Sequence, residues 1–466
     1  MYQLENNFRK NSNLGVWCVL LVPVCLFISR FDSNFVLKFQ DGLMLTLSAF
    51  ITLSSLTQWH RIKNNTRPKI NRMLGDSNNT DLTAVFVFGF VVFIVSGFNS
   101  SSLVTIAGLV LYNKSIPLVY TKFPGSFTFG EGCIVLQSIT LFIVHAITSL
   151  LNQAYHPTSS IESFTLIAQV SLLSEAFLFA LPLIPGLTWT KCPTFFYAVS
   201  LVLLGSCTLP VLMKILRMDP LSLLVTYFVS SKSILKLISL WLILVLIAMV
   251  IVSQKFDSSN NATTGERKVF HGLIVVVMIS GMIVDIEYTY FASLVVLGIF
   301  MYLEYIRVFD IRPVSRLLDE AFAKFTDEKD QGSLILTNIY LLVGIFLPLW
   351  ITGDLSAANN LVLLSGVLSV GIGDSVASIV GSRYGYLKWP YSPSKSVDGT
   401  LASITAQIIF LEVLALNNVV EYQYDLSVFL PIILTSLVEA HTTQVDNLVL
   451  PLVMYISYSA MLSSKT

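Results

Sequence analysis

Asp374, Lys395, Glu439 and Asp446 are the residues whose types and settings suit chemistry. Asp374 stands alone in an apolar segment, where an unpaired carboxylate costs about 2.5–3.5 kcal/mol on insertion scales. Such a residue either pins helix packing or serves a site, and its neighbours favour a site. Lys395 lies between Ser394 and Ser396 in a short Trp-Pro loop, and Asp398-Gly399-Thr400 opens the next apolar segment. A helix start offers free N–H groups and the positive end of the helix dipole, both of which favour an anion. Glu439 and Asp446 are seven residues apart, on one face if the helix continues. A lysine, a helix N-terminus and paired carboxylates at a membrane surface suit phosphate transfer through a divalent cation, Mg2+ or Ca2+. Glu439 and Asp446, with Asp374, are the expected metal ligands. Lys395 is expected to hold nucleotide phosphates, and Asp374 to serve metal or phosphate-site chemistry.

The ladder Ala377, Gly381, Gly385 repeats every fourth residue and shares a helical face with Asp374. Small residues at this spacing admit a partner helix, or here a groove for a long lipid chain. Trp389 suits the interface belt, as a simple anchor or as a base-stacking ring. No GxxxxGK[ST], HRD or DFG element occurs, so neither a P-loop nor a protein-kinase site is encoded.

These residues are carried by a chain of 466 residues, 54% hydrophobic and 12% charged, with mean hydropathy +0.75. Soluble chains carry about 25% charged residues. The expected architecture is all-α and polytopic in a membrane, with roughly 13–16 spans joined by short loops. Zero formal net charge argues against a nucleic-acid partner. The five cysteines lie in or beside apolar segments and are expected to be buried structural thiols. Residues 1–300 read as an N-terminal multi-span region with little chemistry, and 301–466 as the catalytic region with nucleotide-binding loops. The basic cluster from Arg61 to Arg72 is expected on the cytosolic face. Ser253–Thr264, with the sequon Asn261-Ala262-Thr263, is expected on the opposite, luminal face. Pro313–Phe325 has apolar residues at helical spacing and predicts an amphipathic interfacial helix. Counting spans 333–352, 361–380, 401–416 and 426–440 places the loops 305–332, 382–400 and 439–447 on one face.

The order Asp374, Ala377, Gly381, Gly385, Trp389, Pro390, Lys395, Gly399, Thr400 closely resembles the signature of dolichol kinases, within the CTP-dependent polyprenol kinases. The stretches Ser126–Glu131, Asp327–Thr337 and Glu439–Leu448 resemble the same family. The resemblance implies transfer of the γ-phosphate of CTP to dolichol, giving dolichyl phosphate for protein glycosylation and mannosylation, with Asp374 expected to orient or deprotonate the acceptor hydroxyl and metal ligation as its competing role. It further implies a multi-pass protein of the endoplasmic reticulum membrane with its active site facing the cytosol. The nucleotide-binding set it implies is Ala377, Gly381, Gly385, Trp389, Ser394, Lys395, Ser396, Gly399 and Thr400, with Glu328, Gly332 and Asn447 as accessories. One departure is the single Lys395, flanked by serines where relatives carry adjacent lysines. A related kinase acting on diacylglycerol or phytol is the nearest alternative. A transporter using Asp374, Glu175 and His145 is the rival of another class.

Overall fold

Apolar helices dominate the computed structural model, which describes residues 7–10, 12–30, 39–63, 85, 87–93, 99–151, 157, 159–183, 186–256, 263–326, 329–355, 357–390 and 392–463. Among the described residues, eight helical segments are long and apolar enough to cross a membrane: Ser100–Lys122, Phe129–Leu151, Ser160–Ala180, Pro193–Leu216, Lys232–Gln254, Gly265–Val284, Ile286–Val308 and Val397–Leu416. Shorter apolar helices join them at Val16–Arg30, Pro220–Ser230, Thr337–Ile351, Leu426–His441 and Asp446–Leu462. The all-α, polytopic architecture expected from composition is the one found. A two-stranded antiparallel hairpin, Lys388–Trp389 with Ser392–Ser396, is added to it.

Local chemistry sets the ends of these helices. Thr263 and Glu266 form a reciprocal capping box that starts the Thr264–Val284 helix. Asp285 caps the next helix by accepting from the Tyr288 N–H at 2.9 Å. Ser396 caps Val397–Leu416 through the Gly399 N–H at 3.1 Å. The predicted interfacial helix is present as Ser315–Ala323, with Leu318 turned inward and Leu317 outward.

The span expected at 361–380 is not one regular helix. It runs as a turn of α-helix at Asn360–Leu363, a π-helix at Val367–Asp374 and an α-helix at Ser375–Tyr384. A π segment bonds five residues apart instead of four and so widens the hydrogen-bonded ring. Ser375 Oγ donates to the Val370 carbonyl within it at 3.3 Å. The segment ends on Asp374 and so turns that carboxylate toward neighbouring helices.

The two largest apolar clusters among the described residues hold together the helices that carry the site. One ties Phe8, Cys18, Leu47, Tyr112 and Phe129 to Val449 and Tyr455 of the last helix. The other gathers Ile345, Leu364, Leu368, Leu411, Ile432 and Tyr458. Cys18, Cys25 and Cys133 are buried as expected, whereas Cys192 and Cys207 are exposed free thiols on an apolar outer surface.

Contacts between helix ends decide which loops share a face. Lys395 meets Glu439 and Asp446, and Lys329 meets Asp446, so the loops expected together do converge. At the opposite end, Asn360 donates to the Val419 carbonyl and Arg30 pairs with Asp41. The expected placement of Ser253–Thr264 on the face opposite the three loops does not hold for Thr263. Arg267 donates to the Thr326 carbonyl at 2.8 Å and Lys268 reaches Asp374, so Thr263 belongs to the converging face. Asn261 lies outside the described residues, as does the basic cluster after Lys63. The helix leading into that cluster ends near the same face, with Trp59 packed 5.8 Å from Phe129.

Candidate active site

Lys395 leaves the hairpin and projects between two helix ends. Its Nζ contacts Glu439 Oε1 and lies 3.6 Å from Asp446 Oδ2. Lys329 approaches Asp446 from the other side, at 3.0 Å, and also donates to the Gln444 carbonyl at 2.6 Å. Asp374 is paired with Lys268 at 2.5 Å, and His271 Nε2 stands 3.9 Å from the same oxygen. Three lysines and three carboxylates therefore alternate in sign across one end of the bundle. The acids are the more deeply placed partners: the Glu439 side chain is 5% exposed and that of Lys395 27%. Burial works against the Lys395 ammonium, yet Asp446, Glu439 and Asp374 outweigh it and hold its pKa above the ordinary 10.5.

The hairpin and the following helix use up several groups expected to grip phosphate. Ser396 Oγ accepts from the Gly399 N–H, and the Val397 N–H donates to the Leu387 carbonyl at 2.8 Å. Thr400 Oγ1 accepts from the Trp389 indole at 3.1 Å and donates to the Ser396 carbonyl at 3.2 Å. Asp398 accepts from the Leu387 N–H at 3.1 Å. Ser396, Gly399 and Thr400 thus fix the loop's shape, and the free N–H expected at Gly399 is already spent. Ser394 is exposed at the loop surface. Trp389 packs on His441, with ring centres 4.9 Å apart.

The small-residue ladder also has a different occupant from the lipid chain considered above. A Cβ on Gly399 would lie 2.8 Å from the Ala377 carbonyl and 3.2 Å from the Gly381 Cα. A Cβ on Gly385 would lie 2.5 Å from Ser396 Oγ. The ladder therefore lets Ser375–Tyr384 approach the start of Val397–Leu416, which brings Asp374 and Lys395 to one place.

Residues outside the expected set hold this geometry. Lys268 and His271 come from the Thr264–Val284 helix, so the part of the chain before residue 300 does contribute chemistry. Glu131, fully buried, takes the Arg9 guanidinium at 2.7 Å, the Val445 N–H at 2.7 Å and the Thr128 N–H at 3.0 Å. It thereby fixes the loop that carries Asp446. Glu304 accepts from Arg307 and from the Ile335 N–H at 2.7 Å, and Arg307 donates to the Ser333 carbonyl at 2.6 Å. Asp330 caps the Leu336 N–H at 3.1 Å. Together these shape the loop bearing Lys329. Of the expected accessory residues, Gly332 packs directly on Ser126, where a Cβ would collide at 2.0 Å. Asn447 lies beside the His271 ring, and Glu328 lies outside the described residues.

The expected metal ligands fit a resident ion poorly. Among the described residues, no group of three or more His, Cys, Asp or Glu is gathered as a metal centre. Asp374, Glu439 and Asp446 each face a lysine instead, so their charge is already balanced within the protein. Asp446 Oδ1 remains buried without a hydrogen-bond partner.

Comparison with known proteins bears on this arrangement. The family model described as dolichol kinase matches residues 101–348, just over half of the chain. The chain belongs to the dolichol kinase family. The curated dolichol kinases of Homo sapiens and Bos taurus are each 35% identical to it over 351 residues, covering 72% of this chain and 65% of theirs. Dolichol kinase EVAN of Arabidopsis thaliana is 33% identical over 237 residues, 49% of this chain and 41% of its own length. The chain spans 65% of the length of the mammalian relatives it matches. No solved structure matches the chain. The segment matched to the dolichol kinase family holds Glu131, Lys268, Glu304 and Lys329 and ends before Asp374.

Proposed function

We propose that the chain transfers the γ-phosphate of CTP to dolichol, forming dolichyl phosphate, at the cytosolic face of the endoplasmic reticulum membrane. The observation that carries the reading is the alternation of Lys268, Lys329 and Lys395 with Asp374, Glu439 and Asp446 where helix ends meet at one end of the bundle. Dolichol as acceptor follows the names of the relatives, and CTP follows the signature running from Asp374 to Thr400. The cytosolic placement rests on the helix that ends at Lys63 on the converging face, leading into the basic cluster. The 301–466 region supplies most of the site and the 1–300 region contributes Lys268.

The divalent cation belongs to the substrate, arriving with the triphosphate. Its charge suits Glu439 and Asp446, including the unpartnered Asp446 Oδ1, while Lys395 and Lys329 turn to phosphate oxygens. Each lysine exchanges a carboxylate for a phosphate, so no charge is left unpaired during binding. The lipid hydroxyl oxygen then bonds to the γ-phosphorus. Its proton passes to the Asp374 carboxylate, the bond from phosphorus to the β,γ-bridging oxygen breaks, and that electron pair leaves with CDP. Catalysis of this kind is mostly positioning and charge neutralisation.

The test is a panel of labelled CTP and ATP against dolichol, phytol and diacylglycerol in detergent–lipid micelles. The proposal expects dolichyl phosphate from CTP. Transfer to diacylglycerol or phytol alone would replace the acceptor, and no transfer to any alcohol would remove the kinase reading.

A further inference from the structure

The turn between Glu439 and Asp446 carries two of the site's three acids, and its own bonds lead to the start of the chain. Residues 7–10 and 12–15 lie along the loop that precedes the Phe129–Leu151 helix. The Arg9 N–H donates to the Phe127 carbonyl at 2.9 Å, the Gly125 N–H to the Asn7 carbonyl at 2.8 Å and the Gly130 N–H to the Leu14 carbonyl at 2.8 Å. Phe8 is buried edge-on against Tyr120, with ring centres 4.9 Å apart. From this seat the segment reaches a turn 430 residues further along the chain: the Asn13 N–H donates to Thr443 Oγ1 at 3.0 Å. Arg9 Nη2 donates to the Thr443 carbonyl at 3.3 Å.

Gln444 joins this segment to the ion pairs. Its side chain is buried; Nε2 donates to the Asn13 carbonyl at 2.7 Å and Oε1 accepts from Thr128 Oγ1. Its backbone carbonyl accepts from Lys329 Nζ at 2.6 Å. Gly15 closes the fit: its φ is +64°, and a Cβ there would lie 2.3 Å from Gln444 Oε1, so glycine is needed for the two to meet. Two sets of bonds thus act on the turn. Lys329 and Lys395 hold it from the site, through Asp446, Glu439 and the Gln444 carbonyl. These are the groups that exchange carboxylate for phosphate in the proposed reaction. The bonds from Arg9, Asn13, Thr128 and Glu131 involve none of those groups and stay in place during the exchange.

We propose that the N-terminal segment is a strap that positions the Glu439–Asp446 turn for the nucleotide and its cation, with Gln444 as the clasp. Gln444, Thr128 and Arg9 are positioning residues: they act through Asp446 and Lys329 rather than on substrate. The inference rests on the phosphotransfer reading and assigns the strap to one half of it. The turn bears the acids that suit the cation and touches Lys329, whereas the acceptor hydroxyl is met by Asp374 on a different segment. Loosening the strap therefore weakens the hold on nucleotide and leaves the hold on the lipid alcohol as it was. A misplacement of about 1 Å in such a site is enough to matter.

The experiment uses the purified full chain as wild type, Gly15→Ala, Thr128→Val and Thr128→Ser. It measures equilibrium binding of labelled CTP with Mg2+ in the absence of dolichol, KM for each substrate in micelles, and backbone hydrogen exchange of residues 442–448. Gly15→Ala disturbs the clasp from the strap, and Thr128→Val keeps the shape of the side chain while removing its hydroxyl. Both are expected to raise Kd and KM for CTP about tenfold, the worth of a buried hydrogen bond, with KM for dolichol unchanged and exchange at 442–448 faster. Thr128→Ser is expected to return all three readings to wild type. Unchanged CTP affinity in both folded variants would overturn the inference. So would a fall in the active fraction with both KM values retained, or an equal rise in both, since either describes general loss of structure. Faster exchange in the variants of a chain whose wild type binds no CTP would count instead against the proposed function and leave the anchorage of the turn standing.

Discussion

Replacing Lys268 by Met tests whether Asp374 depends on a partner that lies 106 residues away in sequence. The substitution keeps the length of the side chain and removes its charge. Asp374, whose side chain is 8% exposed, then loses its 2.5 Å contact and keeps His271 at 3.9 Å and the more distant charge of Lys395. Breaking a buried pair by removing one partner costs about 3–5 kcal/mol, because the other charge is left uncompensated. Asp374→Asn should cost a similar amount by stranding Lys268. The double variant removes both charges and should be less destabilised than the sum of the two, by about 2 kcal/mol or more. Reversible unfolding in mixed micelles supplies the cycle. The same Lys268→Met protein should lose about a hundredfold in phosphate transfer if roughly 3 kcal/mol of Asp374 positioning is lost in the transition state. Additive single effects, with coupling below about 0.5 kcal/mol, would describe a solvated pair and refute the reasoning.

Three further outcomes follow from the same geometry. Lys395→Met should abolish turnover, and Lys395→Arg should not restore it, because a planar fork replaces a point charge fitted between Glu439 and Asp446. Its raised pKa means that the stabilisation from this charge is complete below the ordinary 10.5 and is lost only above the raised value; the stability difference between wild type and Lys395→Met should therefore be flat from pH 6 to about 10. Glu131→Ala should destabilise by about 3–5 kcal/mol, since it strands buried Arg9, and should slow transfer by loosening the Val445 backbone; an unchanged melting curve would contradict this. Chelation should stop transfer yet leave the melting temperature of the nucleotide-free protein unaltered, because lysines balance the three acids; a melting temperature lowered by chelator would reveal a resident ion.

Much of the site was legible because membrane topology is a counting problem. Four spans between residue 333 and residue 440 suffice to bring Lys395, Glu439 and Asp446 to one face, and lone charges in apolar runs are conspicuous. What composition does not carry is which helix lies beside which. Lys268 reads as one charge in the flank of an ordinary span, although two local signs were present. Thr263 and Glu266 have capping-box spacing, which starts the helix early and puts Lys268 in its second turn. His271 falls one turn further on the same face. The π segment before Asp374 left no periodic signal, since it is a slip in backbone pairing rather than a pattern of side chains. The ladder from Ala377 to Gly385 was visible, but spacing alone does not say whether a lipid or the turn Ser396–Gly399 fills the approach. The acids were recognisable as ligands for positive charge, and that charge proved to be lysine.

The central claim is that Asp374 and Lys395 form a phosphotransfer site at the membrane surface. Its most direct test is the release of labelled dolichyl phosphate from γ-labelled CTP by the purified chain, for wild type, Asp374→Ala and Lys395→Ala, each checked for folding by thermal denaturation. The account predicts product from wild type and none above background from either folded variant. Near-normal product from both variants would contradict it.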